Sequence, residues 1–312
     1  MAVEIKRIKK TTPDHPKYNV LSLFDGMSCG QLALKQINVD VVNYFASEVD
    51  THAMHVAKSN FPNMTHIGDV RDVDMTNRDS DEHPWILIGG SPCQNFSFAG
   101  SSKGMATKEN IEVTTLEQYL DLKSQGFEFH GQSYLFWEYV RILKELKPKY
   151  FLLENVKMAK KWKDLISGVM GVEPILINSS LVSAQNRERL FWTNIPGVTQ
   201  PQDRGIVLGD ILESIPGREV KNTDRNLRHE RKLNQKSLCT TATMYKGAGN
   251  NGMTLIRRPG VDYLSTLTPL EVERLQCVPD NYTDHVSNTQ RYKMLGNGWT
   301  IDVIAHILKG IQ

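Results

Sequence analysis

Cysteine is scarce in this 312-residue chain: four residues, Cys29, Cys93, Cys239 and Cys277, with no C-x-x-C pair. So few, so far apart, make neither a disulfide scaffold nor a structural zinc site. A reducing, cytoplasmic setting is the expectation. Long apolar runs are missing as well. Stretches such as Trp85-Ile86-Leu87-Ile88 are of strand length, whereas a membrane span needs roughly 18 uncharged apolar residues. Residues 1–10 are basic but hold no apolar segment, so they do not read as a secretory signal. There is no internal repeat and no low-complexity tract. With 40% hydrophobic and 23% charged residues the composition is that of a globular protein, excluding collagen-like, coiled-coil and disordered classes.

Net charge is also small, +2, but it is unevenly spread. Residues 1–17 carry +3, residues 201–262 carry +4, and the rest carries −5. Ordinary scatter and a phosphate-facing surface explain this about equally well.

What is present is alternation. From Asn19 to Pro196, strand-like runs (Asn19–Phe24, Val41–Glu48, Trp85–Gly89, Tyr150–Glu154, Pro174–Asn178, Arg189–Asn194) alternate with helical patterns. Those patterns lie at Gly30–Ile37, Asp50–Ser59, Tyr134–Leu146 and Ala159–Val169. This order predicts an α/β fold, an open, doubly wound and mostly parallel sheet with helices on both faces. Residues 197–262 are rich in Gly, Asn, Thr and Arg and read as a small loop-rich insert. Helical periodicity returns at Pro269–Gln276 and Trp299–Leu308.

Chemistry-bearing residues collect where these strands end. The first runs into Phe24-Asp25-Gly26-Met27-Ser28-Cys29-Gly30, a turn whose glycines permit close backbone approach at a helix N-terminus. Glu48 closes the second strand, placed to accept from a ribose diol. Asp69, in Gly68-Asp69-Val70, is placed to accept from an adenine amino group. The glycine spacing is not G-x-G-x-x-G, which disfavours a pyrophosphate and favours an adenosine without phosphates, such as S-adenosylmethionine.

The fourth strand ends in Gly89-Gly90-Ser91-Pro92-Cys93-Gln94. Cys93, after a rigid proline in a polar loop, is a candidate nucleophile; Cys29, Cys239 and Cys277 read as ordinary buried cysteines. The fifth ends in Leu152-Leu153-Glu154-Asn155-Val156, where Glu154 follows apolar residues and is expected to be partly desolvated, able to hold or donate a proton. Its plainer reading is a helix cap. In Gln185-Asn186-Arg187-Glu188-Arg189, strand alternation puts both arginines on one face, suited to an anion or a carbonyl.

Phe-Asp-Gly-x-x-x-Gly, Pro-Cys-Gln, Glu-Asn-Val, Gln-x-Arg-x-Arg and a late Gly-Asn-Gly occur in the order seen in DNA (cytosine-5)-methyltransferases. The resemblance spans residues 19–196 and 263–311. Ala46-Ser47-Glu48-Val49, Gly68-Asp69-Val70-Arg71 and Gly89-Gly90-Ser91-Pro92-Cys93 are locally similar to the animal de novo enzymes, while the compact size resembles a bacterial or phage enzyme. The resemblance implies a Rossmann-like S-adenosylmethionine-dependent methyltransferase sheet: a basic tail (1–18), a catalytic domain (19–198, with an insert at 107–129), a target-recognition domain (199–262) and a return to the catalytic domain (263–312). It further implies Cys93 as nucleophile, Glu154 on the ring nitrogen and amine of cytosine, Arg189 on its carbonyl, and Arg187 on a phosphate or the Cys93 loop.

Phe24, Gly26, Met27, Ser28, Gly30, Glu48, Val49, Asp69, Val70, Ser91, Asn297, Gly298 and Trp299 are implied to line the cofactor pocket. Gln94, Ser97, Gln185, Arg225, Arg228, Arg231, Lys236, Thr240, Thr241, Lys246, Arg257 and Arg258 are the expected DNA contacts. The implied partner is duplex DNA, and the implied purpose is protection from restriction, either beside a cognate restriction endonuclease outside this chain or alone on a phage. The insert at 107–129, where Leu116, Tyr119 and Leu120 suggest a short helix, is a lid, a DNA contact or surface decoration. Competing readings are a catalytically silent DNA-binding protein and an RNA cytosine-5 methyltransferase. The Cys-Phe-Thr signature of the RNA branch is absent, as is the Asp/Asn-Pro-Pro-Tyr/Phe loop of amino-group methyltransferases.

Overall fold

A computed structural model describes residues 16–76, 82–92, 105–247 and 253–311. Along the chain the first elements are β1 (Lys17–Leu23), α1 (Cys29–Gln36), β2 (Asp40–Ser47), α2 (Thr51–Asn60), β3 (Thr65–Gly68) and β4 (Trp85–Gly90). Then come α3 (Leu116–Ser124), α4 (Phe136–Leu146), β5 (Tyr150–Val156), α5 (Lys160–Met170), β6 (Ile175–Asn178) and β7 (Glu188–Thr193). These seven strands form one sheet in the order β3-β2-β1-β4-β5-β7-β6, parallel except where β7 pairs with β5 and β6.

Alternation along the central strands sorts side chains onto two faces. Val20, Ile86, Ile88 and Leu152 join one core with Ala33 and Leu34 of α1 and Val56 and Ala57 of α2. Leu21, Leu23, Leu87 and Leu153 join the other, with Phe136 and Trp137 of α4 and Trp162 and Ile166 of α5. Strands covered on both faces read as near-continuous apolar runs, which is why Trp85-Ile86-Leu87-Ile88 shows no polar alternation.

A second, four-stranded sheet is built from β8 (Glu219–Val220), β9 (Glu230–Arg231), β10 (Leu255–Arg257) and β11 (Leu264–Thr266), with the short α6 (Asp224–Leu227) between β8 and β9. It runs to Thr266, past the boundary at 262 expected from composition. The chain then returns through α7 (Pro269–Leu275), α8 (Asn288–Asn297) and α9 (Ile301–Leu308). Thr268 and Glu271 form a reciprocal capping box at the start of α7, with Pro269 in its first turn. Ile301, Ile304 and Leu308 of α9 are buried in the core that holds α1, each contributing about 1.5–3 kcal/mol by transfer from water. Tyr18, in β1, donates to the Ile311 carbonyl at 3.1 Å, tying the last turn to the first strand.

The expected insert helix exists as α3, but Leu116, Tyr119 and Leu122 are its buried residues and Leu120 is exposed. It is fixed to α4 through Glu138, a fully buried carboxylate that accepts from Tyr119 (2.5 Å), Lys123 (2.6 Å) and Arg141 (2.7 Å).

Candidate active site

Strand order reverses between β1 and β4, so the loops leaving their carboxyl ends diverge and open a crevice. A cavity of about 330 Å³ occupies it. At one end the turn after β1 alternates left-handed residues, Phe24 (φ 56°), Gly26 (φ 59°) and Ser28 (φ 64°). That path aims the Gly26 N–H at Glu48 Oε2 (2.8 Å), while Val49 and Asp50 donate to Oε1 at 2.7 and 2.8 Å. A carboxylate has about four acceptor positions, so Glu48 is held rigidly with capacity left for a ligand hydroxyl. Asp25 lies beneath, accepting from Ser28 Oγ (2.5 Å) and Tyr44 (2.7 Å). Its burial pushes its pKa up to about 6, with Ser22, Ser28 and Tyr44 opposing and Glu48 adding to the rise.

Glu154 lies at the other end, opposite Gly90 in the β4–β5 register. Its Oε1 faces Arg189 Nε at 2.9 Å and its Oε2 accepts from the Trp299 indole at 3.2 Å. Asn155, given no role by the sequence, donates to the Ser91 carbonyl (3.2 Å) and Oγ (3.1 Å), which fixes the backbone leading into Pro92. Pro92 lines the cavity; Cys93, Gln94 and Ser97 lie outside the described residues.

Between the two ends runs the turn Gly296-Asn297-Gly298-Trp299. Arg187 Nη2 donates to the Gly296 and Gly298 carbonyls at 3.3 and 2.8 Å, and Nη1 to the Thr240 carbonyl at 3.0 Å. Arg187 is buried, so in place of a phosphate it clamps this turn to the segment 239–240. A Cβ at Gly296 would stand 2.1 Å from the Thr241 carbonyl carbon, so only glycine admits that approach.

Of the residues expected to hold a cofactor, Phe24, Gly26, Met27, Glu48, Val49, Ser91, Asn297, Gly298 and Trp299 line the cavity, together with Glu154, Arg187 and Arg189. Four others are placed differently. Asp69 is paired with Arg71 at 2.5 Å, which holds its carboxyl below the usual range. Val70 packs in the core, and Ser28 is buried with its hydroxyl on Asp25. Gly30 packs so closely on β4 that a Cβ would meet Ile88 at 2.2 Å.

Residues the sequence missed include Asp50 and Lys293, ion-paired at 2.7 Å on the cavity wall. No local pattern signals a pair 243 positions apart. Cys239 also departs from the reading as a plain core cysteine. Its Sγ accepts from Arg187 (3.5 Å) and Arg189 (3.9 Å). Burial opposes thiolate formation, but the two guanidinium groups outweigh it and hold the thiol below its usual pKa.

Four expected DNA contacts are used inside the protein. Gln185 is fully buried and bonds to Leu275, Gln276 and Thr240. Lys236 donates to the carbonyls of Ser180 (2.6 Å), Ser183 (3.1 Å) and Ile206 (2.5 Å). Thr240 is buried against Gln185, and Arg258 pairs with Glu271. Gln185, Thr240 and Arg258 are buried and so unavailable to a duplex, whereas Lys236 is half-buried with its ammonium already shared among three carbonyls. Arg225, Arg228, Lys246 and Arg257 are exposed, while Arg231 and Thr241 are half-buried. Residues 248–252 of the expected glycine loop lie outside the described residues.

Comparison with known proteins gives this arrangement a context. The chain is 29% identical over 326 residues to the type II methyltransferase M1.ScrFI of Lactococcus lactis subsp. cremoris, covering 92% of this chain and 76% of the relative. It is 28% identical over 328 residues to the type II methyltransferase M.NlaX of Neisseria lactamica, covering 95% and 96%. The structure of the Entamoeba histolytica methyltransferase EhMeth superposes with a TM-score of 0.69 at 15% identity, over 95% of this chain and 99% of that one, a likeness that carries the fold. The profile of C-5 cytosine-specific DNA methylases matches residues 18–237 and 213–312, nearly the whole length, and the chain belongs to that family.

Proposed function

We propose that this enzyme methylates a flipped-out cytosine in a short duplex site, with S-adenosylmethionine as the methyl donor and Cys93, Glu154 and Arg189 as the catalytic residues. The observation that carries the reading is the Glu154–Arg189 pair, 2.9 Å apart, in a cavity that Pro92, the neighbour of Cys93, also lines. The donor assignment rests on fit. Asp25, Glu48 and Asp50 line one end of the cavity, whose Lys293 is ion-paired to Asp50. Such a wall suits a cationic sulfonium and ammonium and disfavours phosphates. When bound, S-adenosylmethionine supplies an electrophilic methyl group.

The chain's residues do the rest. Cys93 as thiolate forms a bond to cytosine carbon 6, and the ring π electrons move towards carbon 5. Glu154 faces the ring nitrogen and the exocyclic amine and stabilises the charge that attack creates; Arg189 holds the carbonyl oxygen. Carbon 5 takes the methyl group, loses its proton, and the sulfur–carbon bond breaks as the thiolate leaves. None of these atoms is reachable in a stacked duplex, so the base must leave the helix.

Arg225, Arg228, Arg231, Thr241, Lys246 and Arg257 are assigned to the DNA-facing side, with phosphate contacts that position without specifying. Residues 199–266, which take in the whole of the small sheet, act as the target-recognition domain between two parts of the catalytic domain (19–198 and 267–312). The enzyme works in the cytoplasm and shields DNA from restriction, beside a partner endonuclease or alone. No described helix is long and apolar enough to cross a membrane.

The test is methyl transfer from labelled S-adenosylmethionine to mixed-sequence duplex DNA. Label on cytosine carbon 5 with the wild type and none with Cys93→Ala is expected. Label on tRNA alone would move the enzyme to the RNA branch. Tight DNA binding without transfer to either substrate would overturn the reading in favour of a binding protein.

A further inference from the structure

We propose that Trp299 is a positioning residue for Glu154, a role separate from lining the donor cavity; it rests on the catalytic role proposed above for that carboxylate. The two oxygens of Glu154 are held by different partners, Oε1 by Arg189 at 2.9 Å and Oε2 by the indole N–H of Trp299 at 3.2 Å. The terminal torsion of a glutamate is broad and nearly two-fold, so a single partner leaves the carboxylate plane free to turn. Two donors on two oxygens fix it.

The indole is itself fixed from behind. The carbonyl of Gly298, its neighbour in sequence, accepts from Arg187 at 2.8 Å and from Gln276 at 3.3 Å. The β4 strand leaves room for the bond at Gly90: a Cβ there would stand 2.9 Å from the indole nitrogen and 3.1 Å from Glu154 Oε2. Gly90 is therefore the clearance through which ring and carboxylate meet. The same turn touches the donor end, where a Cβ on Gly298 would lie 3.1 Å from Met27 Cε and 3.4 Å from Cys29 Sγ. One short segment thus faces both reactants, and its tryptophan sets the angle of the group that receives the base.

Trp299→Phe keeps an aromatic ring at this position and removes the N–H together with part of the indole's bulk. Its kcat with labelled S-adenosylmethionine and duplex DNA is expected to fall about tenfold, the scale of a misaligned catalytic group. Trp299 also lines the cavity, so donor Kd by calorimetry should weaken, but by clearly less than kcat falls, since Glu48, Met27 and Asn297 still line that end. Gly90→Ala, which wedges a methyl group into the same bond, should lose kcat in the same way and carries the test if Trp299→Phe does not fold. Wild-type kcat in both variants, or a loss confined to donor Kd and KM, would overturn the positioning role while leaving the methyltransferase reading intact. Full activity of Glu154→Gln would instead remove the catalytic role of Glu154 and this inference with it.

Discussion

Arg258 and Glu271 form a buried ion pair, Nη2 to Oε1 at 2.6 Å, that joins the end of β10 to the capping box of α7. Arg258 also donates to the Glu213 carbonyl at 3.0 Å and Ser265 Oγ at 3.3 Å. An arginine that sequence places on DNA is thus a joint between the small sheet and the helix that returns the chain to the large one. Removing one partner of a buried pair strands the other charge, at about 3–5 kcal/mol. Arg258→Ala should therefore lower the unfolding free energy extrapolated from urea melts by about 3–5 kcal/mol. At a temperature where the variant stays folded, the salt dependence of its DNA affinity should match wild type; a reduced salt slope would return Arg258 to the DNA.

Asp25 gives a pH dependence whose sign is opposite to that of a salt-bridged carboxylate. Burial raises its folded pKa to about 6 from an ordinary 3.8. Between these values the folded state binds the extra proton, so stability falls as pH rises from about 4 to 6 and stays at the lower level above. A shift of this size corresponds to about 3 kcal/mol as an order of magnitude. Asp25→Asn should be more stable than wild type at pH 7.5 in urea melts, with the advantage shrinking towards pH 4. It should also bind the cationic donor more weakly, because the lost charge lines the donor cavity. An advantage that does not vary with pH would disprove the assignment.

Cys239 should be distinguishable from the other described cysteines by its chemistry. Burial pushes Cys29 and Cys277 up to about 12, whereas Arg187 and Arg189 hold Cys239 below its usual value against the same burial effect. Alkylation follows thiolate content and access. With iodoacetamide at pH 7.5, peptide mapping should find Cys239 modified well before Cys29 and Cys277, and Arg189→Ala should slow it. Equal, slow labelling of all three would contradict the electrostatic picture.

The sheet was legible because its strands are covered on both faces: Ile86, Leu87 and Ile88 are apolar in a row for that reason. Glu48 and Glu154 stand out in the sequence because each closes a predicted strand, the end at which a doubly wound sheet gathers ligands, and both line the cavity. What local pattern hides is partner choice across distance. Gln185 and Lys236 look like readers of a groove until carbonyls at 275 and 206 take their donors. Asp69, read as an adenine acceptor, lies outside the cavity lining and is also bonded to Arg71, two residues on, a partner that the sequence reading did not foresee. The helix α8 was missed because its few buried residues, Met294, Leu295 and Gly296, cluster at one end and give no helical stripe.

Arg225 and Arg228 supply the sharpest test of which basic residues meet the duplex. Both are exposed around the short α6, in the segment that carries +4. Each phosphate neutralised contributes about 0.9 to the slope of log affinity against log salt. Arg225→Ala with Arg228→Ala should therefore flatten that slope by about 1–2 and weaken specific and non-specific DNA alike. Lys236→Ala is the control. It leaves three carbonyls without their shared donor, so thermal stability should drop while the salt slope stays where it was. The opposite outcome, a flattened slope for Lys236→Ala and none for the arginine pair, would place the phosphate path along the Ser180–Ile206 side of the molecule instead.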